Sequence, residues 1–221
     1  MSTAERLLYV VRHGATDWNQ SGRIQGHIDI PLNKTGRAQA RLASIRLAAV
    51  CATALYSSDL LRAYETAQII GLATGLQVVQ KPGLREINFG VWQGLSSPQI
   101  RERDPDVYTA RRANPYDVAP EGAETWRHFY DRAVQAVHEI LAATEAQRVI
   151  VVTHSGVCTA LGLRALGFDC TGKRTFDSHN CGILRLPCME IPGVPWCLTI
   201  SPISPQPSRD SLGQTHSMCF W

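Results

Sequence analysis

Two short apolar runs in this 221-residue chain deliver a histidine and then a glycine: Val10-Val11-Arg12-His13-Gly14 and Val151-Val152-Thr153-His154-Ser155-Gly156. Runs of this kind read as buried strands, and open α/β sheets place their sites just beyond the carboxyl ends of strands. If the two strands are parallel neighbours, His13 and His154 meet at one edge of the sheet. A helix opening near Ser155 would turn free N–H groups to the same spot and favour an anion. Arg12 adds a cation with planar, forked donors. Arg62 adds another, in Ser57-Ser58-Asp59-Leu60-Leu61-Arg62, at the first turn of a helix, where the dipole disfavours a cation unless an anion compensates it. Two imidazoles, two guanidinium groups and a helix N-terminus describe a pocket for a dianionic phosphoryl group. Glu86, a lone carboxylate in Leu84-Arg85-Glu86-Ile87-Asn88-Phe89-Gly90, is the candidate general acid.

These residues need elements to position them. Leu7–Val11, Ala54–Ser57 and Arg148–Val152 read as strands, Gln77–Gln80 as a short edge strand, and Gly182–Leu186 and Cys197–Ile200 as late strands. Gly14 is expected to let the chain turn sharply after the first strand. Thr35 is placed to cap a helix whose apolar positions are Ala38, Leu42, Ile45 and Ala49. Asp59 starts a helix through Leu60, Ala63, Ala67 and Ile70, with Gly75 ending it. Trp126, Tyr130, Ala133, Val137 and Leu141 mark a long amphipathic helix, and another covers Val157–Leu166. Residues 82–122, rich in Pro, Gly and Arg, read as the least regular section. Strands alternate with helices without a repeat or linker, which points to one α/β domain.

Composition excludes other classes. The chain is 44% hydrophobic and 19% charged, as a globular protein should be. A formal net charge of +3 without a basic tract gives no case for nucleic acid. No apolar run is long enough for a membrane span or a signal-peptide core, so a cytoplasmic location is expected. Seven cysteines without a C-x-x-C pair fit neither a secreted disulfide framework nor a structural zinc site. Residues 201–221 are rich in Ser and Pro and read as a solvated tail, with Phe220 and Trp221 as its candidate anchors.

The four stretches together resemble the histidine phosphatase superfamily, which includes the cofactor-dependent phosphoglycerate mutases and compact small-molecule phosphatases. The matching elements are Arg12-His13-Gly14, the run from Ser57 to Ala67, the run from Leu84 to Gly94, and Thr153-His154-Ser155-Gly156. The resemblance implies a three-layer α/β/α sandwich with a mostly parallel central sheet over residues 1–200. It also implies that His13 becomes phosphorylated, that Arg12, Arg62 and His154 stabilise the phosphoryl group, and that Glu86 protonates the leaving alcohol and later deprotonates water. Thr16 and Asn19 match positions that contact phosphate. Gln25 and Gly26 fall on a loop near substrate, and Ser155 opens the anion-facing helix. No metal or cofactor is implied, because arginines take that part.

Competing readings exist for several of these residues. Arg62 could pair with Glu65 on its own helix, and Glu121 or Glu124 could be the acid. Trp92 and Phe89 read as packing residues. Cys158 and Arg164 have the C-x5-R spacing of cysteine phosphatases, but the residues between them are apolar and helix-forming, so Cys158 reads as core. The other histidines (27, 128, 138, 179, 216) lack metal-ligand spacing.

A mutase must shield its phosphoenzyme from water, whereas a phosphatase must admit it. Mutases of the family carry a carboxylate-binding stretch that Arg111-Arg112-Ala113-Asn114-Pro115-Tyr116-Asp117 echoes only in interrupted form. Pro120-Glu121-Gly122-Ala123-Glu124-Thr125 is closer to the compact phosphatases. Ala15 stands where many members carry Glu. A phosphatase acting on a small phosphorylated metabolite is the favoured reading, with substrate choice set by residues 95–122. The alternatives are a phosphoglycerate mutase and a phospho-ligand binding protein without turnover. A homodimer is a possible assembly.

Overall fold

The fold is seen in a computed structural model that describes residues 6–172, 177–191 and 194–198. Its centre is a six-stranded sheet. Strands β1 (Arg6–Arg12), β2 (Ala54–Ser57), β3 (Val78–Gln80), β4 (Arg148–Thr153), β5 (Ile183–Ile191) and β6 (Val194–Leu198) lie in the order β3-β2-β4-β1-β5-β6. The first four run parallel, and β5 and β6 form an antiparallel extension at one edge.

Helices cover both faces. They are α1 (Asp17–Ser21), α2 (Lys34–Ala48), α3 (Leu61–Thr74), α4 (Ser97–Arg103), α5 (Pro105–Ala113), α6 (Trp126–Ala142) and α7 (Ser155–Ala165). Successive residues of a strand face opposite sides, and β1 divides accordingly. Leu8 and Val10 join Val149, Val151 and the apolar sides of α6 and α7, while Leu7, Tyr9 and Val11 join Ile150, Val152, Leu47 of α2 and Ala63, Ala67 and Ile70 of α3. This is the three-layer sandwich. Cys158 sits in the first of these cores, where burial pushes its thiol up to about 12, and Trp92 and Phe89 are buried there too.

Three local expectations fail for physical reasons. Asn33, not Thr35, caps α2, its side chain accepting from the Gly36 N–H at 2.8 Å. The stripe Ala38, Leu42, Ile45 and Ala49 lies outward, with Leu42 67% and Ile45 69% exposed, while Gly36, Ala40, Ala43, Ser44 and Leu47 are buried on the inner face of a helix that packs against α3. Small residues let the backbone approach closely, and that outweighs the larger side chains of the other face. Asp59 is not the cap of α3. Its carboxylate binds Arg85, and the Leu61 N–H is accepted by the distant Asp29 at 2.6 Å.

Residues 82–122 are more regular than their composition suggests. Asp104 ends α4, starts α5 and accepts the Trp92 indole N–H at 2.7 Å. The tail beyond residue 200, with Phe220 and Trp221, lies outside the described residues. Among the described residues no helix is long and apolar enough to cross a membrane.

The outward stripe gives a direct check. Leu47→Ala should cost about 2–4 kcal/mol by cavity formation, whereas Leu42→Ser should change stability by no more than about 0.5 kcal/mol. Urea unfolding of both variants measures the difference, and equal losses would contradict the packing of α2.

Candidate active site

The parallel pairing of β1 and β4 sets Arg12 opposite Thr153. The chain therefore releases His13 and His154 side by side, with the His13 N–H donating to the Thr153 carbonyl at 2.8 Å. The two rings lie 5.2 Å apart, centroid to centroid, at 59°, and both residues are buried. Gly14 has no left-handed φ. It is glycine because a Cβ there would stand 2.5 Å from the Gly36 carbonyl oxygen, where the loop meets the start of α2.

His13 Nδ1 lies 2.7 Å from the Gly14 carbonyl oxygen, which can only accept. Nδ1 therefore carries the proton and Nε2 keeps its lone pair when the ring is neutral. The ring is held neutral. Burial drives its pKa well below the ordinary 6.5, and the Arg62 and Arg12 charges push the same way. His154 is depressed likewise by burial, then Arg62, His13 and Arg12. Its Nε2 lies 2.8 Å from the Ser58 hydroxyl, while Nδ1 is buried without a protein partner.

Arg62 is fully buried at the start of α3. Its NH2 group donates to the Gly26 carbonyl at 2.7 Å and its NH1 group to the Ile28 carbonyl at 3.0 Å, leaving Nε buried without a partner. Burial lowers its pKa to about 10 against the pull of Glu86, so it remains charged at neutral pH. The alternative pairing with Glu65 does not occur, because Glu65 binds Arg37 at 2.6 Å. Arg12 donates to the Ser178 carbonyl at 2.5 Å.

Glu86 is half-buried and is not enclosed by apolar neighbours alone. Its carboxylate accepts the Gly156 N–H, at 3.1 and 3.2 Å to its two oxygens. This corrects one expectation: an N–H at the opening of α7 meets the protein's own carboxylate. Glu124, the rival acid, is bound by Arg132.

The remaining candidates shape the loops around these groups. Thr16 is buried and caps α1 in a reciprocal arrangement with Asn19. The Asn180 amide donates to the His13 carbonyl at 3.0 Å. Gln25 is buried with Oε1 unpartnered, Gly26 holds Arg62, and Ser155 meets the Ser178 hydroxyl at 3.1 Å. Sequence reasoning missed the parts played by Ser58, Ser178 and Asn180. Ser58 stood inside a quoted motif. Ser178 and Asn180 lie in an irregular stretch before β5 that carries no periodic signal. Among the described residues no three His, Cys, Asp or Glu side chains gather as a metal ion would need.

At the strand ends of an α/β sandwich the structure gathers a neutral imidazole under the charges of Arg62 and Arg12, a second buried imidazole and a carboxylate, a set suited to binding and transferring a phosphoryl group. The model of the histidine phosphatase superfamily (branch 1) matches residues 8–190, and the chain belongs to that superfamily. "Phosphoglycerate mutase-like protein 4" of Arabidopsis thaliana is 42% identical over 161 residues, covering 72% of this chain and 70% of its own length. The "Metal-independent phosphoserine phosphatase" of the same plant is 38% identical over 181 residues, covering 80% and 76%. A solved mycobacterial glucosyl-3-phosphoglycerate phosphatase, in complex with VO3, superposes with a TM-score of 0.78 at 32% identity, over 88% of this chain and 98% of that one.

Depressed histidines have a consequence for stability. The unfolded chain protonates them below pH 6.5 while the folded chain does not, so the unfolded state gains protons and stability falls as pH drops from 6.5 toward the folded values. Arg62→Gln removes a charge that lowers both pKa values and should raise the His13 midpoint, which closes that pH window from its lower end and makes the loss smaller. Imidazole NMR titration checks the sign, and an unchanged midpoint would contradict the coupling.

Proposed function

We propose that the protein hydrolyses a small phosphomonoester through a phosphohistidine on His13. The observation that carries this reading is the Nδ1–H bond to the Gly14 carbonyl, which leaves Nε2 unprotonated beside two arginines. His13 Nε2 attacks phosphorus and the bond to the ester oxygen breaks. Glu86 passes its proton to that oxygen, and the alcohol leaves. Glu86, now a carboxylate, takes a proton from water, and the hydroxide attacks phosphorus. The nitrogen–phosphorus bond breaks, releasing inorganic phosphate and the neutral imidazole.

Arg12 and Arg62 neutralise the non-bridging oxygens as charge redistributes. His154 Nδ1, buried without a protein partner, hydrogen-bonds one of them. Thr16, Asn19, Gln25, Gly26 and Ser155 border the phosphate or hold the loops that do. Similarity to a phosphoserine phosphatase and a glucosyl-3-phosphoglycerate phosphatase supports a small phosphorylated metabolite as substrate.

Acid-labile label should remain on protein quenched during turnover with a ³²P-ester, and EDTA should leave the rate unchanged. His13→Ala should lose both the label and more than about 10³-fold in kcat. Full turnover by His13→Ala would refute the mechanism. Interconversion of 2- and 3-phosphoglycerate faster than phosphate release would instead favour a mutase, and tight phosphate binding without turnover a binding protein.

A further inference from the structure

We infer that Arg132, on α6, is a positioning residue that sets the carboxyl group of Glu86 from outside the site. The inference rests on the reading of Glu86 as the acid and names what aims it. A guanidinium has five N–H donors, and five hydrogen bonds leave this one. Nε and NH2 grip the two oxygens of Glu124, each at 2.8 Å. NH1 donates to the carbonyls of Gly83 at 2.9 Å and Arg85 at 3.1 Å, and NH2 reaches the carbonyl of Glu86 itself at 3.3 Å. The guanidinium also lies over the Phe129 ring, 5.2 Å from its centroid.

Glu124 completes the clamp. Its Oε2 accepts the Asn88 N–H at 2.8 Å, and its own N–H donates to the Asn88 carbonyl at 2.9 Å. The backbone from Gly83 to Asn88 is thus fastened at four residues by one ion pair. A second strut comes from His27, whose Nε2 lies 2.7 Å from the Glu86 carbonyl oxygen. That oxygen only accepts, so Nε2 carries a proton. His27 sits between Gly26 and Ile28, the two residues whose carbonyls hold Arg62. The acid loop is therefore referenced to the phosphate-binding arginine through His27 and to α6 through Arg132.

Such a clamp matters because a displaced proton donor fails while the rest of the site still works. An error of about 1 Å in a catalytic group can cost about 10²-fold. The failure has a signature, since an acidic phenol leaves without help and a weakly acidic one needs the proton. The test compares kcat/KM for 4-nitrophenyl phosphate and phenyl phosphate, which reports only the steps through formation of the phosphoenzyme.

Glu86→Gln should lose about 10²-fold on phenyl phosphate and much less on 4-nitrophenyl phosphate. Arg132→Lys keeps the charge but loses the fork, and should reproduce that selective loss at about tenfold or more. Glu124→Gln, which opens the clamp from its other side, should do the same should the lysine variant fail to fold. If Glu86→Gln shows the selective loss and folded Arg132→Lys and Glu124→Gln lower both substrates equally, or neither, the clamp is structural only and the inference falls. If Glu86→Gln itself shows no selectivity, the acid reading fails and the inference fails with it.

Discussion

The structure depends on keeping a buried imidazole uncharged between two guanidinium groups. Protonating His13 would place a third positive charge near Arg12 and Arg62 at a buried position, and the cost of burial is the larger part of that penalty. Each unit of pKa depression is about 1.4 kcal/mol of preference for the neutral ring. Neutrality alone does not make a nucleophile, because the proton must also lie on the far nitrogen. The Gly14 carbonyl meets that second condition, and the parallel register of β1 and β4 meets a third by bringing His154 alongside.

Arg62 is held in a way that leaves its charge available. Arg62 is fixed by the Gly26 and Ile28 carbonyls, and Arg12 donates to the Ser178 carbonyl. Neutral oxygens orient a guanidinium without cancelling its field. Away from the two histidines Arg37, Arg85, Arg127 and Arg132 bind Glu65, Asp59, Asp117 and Glu124, while Arg6 and Arg111 tie segments together through backbone carbonyls.

Much of this was readable beforehand because it follows from local pattern. Apolar runs ending in His-Gly or His-Ser-Gly fixed both strand ends, and their parallel pairing carried the histidines together. The long amphipathic helix announced Tyr130, Ala133, Val137 and Leu141 by spacing alone. What was not legible is what depends on distant partners. The inward face of α2 is chosen by small residues that let it close on α3 and on the loop at Gly14 and Ala15, so apolar periodicity pointed to the wrong side. The cap of α3 comes from Asp29, far away in sequence, and no local rule finds it. Ser178 and Asn180 take their positions from a loop folded back over His13. Arg132 gave no signal in the sequence, since three of its five hydrogen bonds go to backbone carbonyls that no side-chain pattern reveals.

The opening of α7 shows how these constraints combine. A helix N-terminus is suited to an anion, and sequence alone suggested the substrate for that role. The Gly156 N–H instead meets Glu86, and a Cβ at Gly156 would lie 2.3 Å from a carboxylate oxygen. The glycine is required by that approach and not by its own backbone angles. On the proposed reading, giving this N–H to the carboxylate leaves the substrate charge to the guanidinium groups and the second imidazole. The helix then holds the Glu86 carboxylate while Arg132 and His27 hold its backbone carbonyl, so one residue is fastened through both its side chain and its main chain.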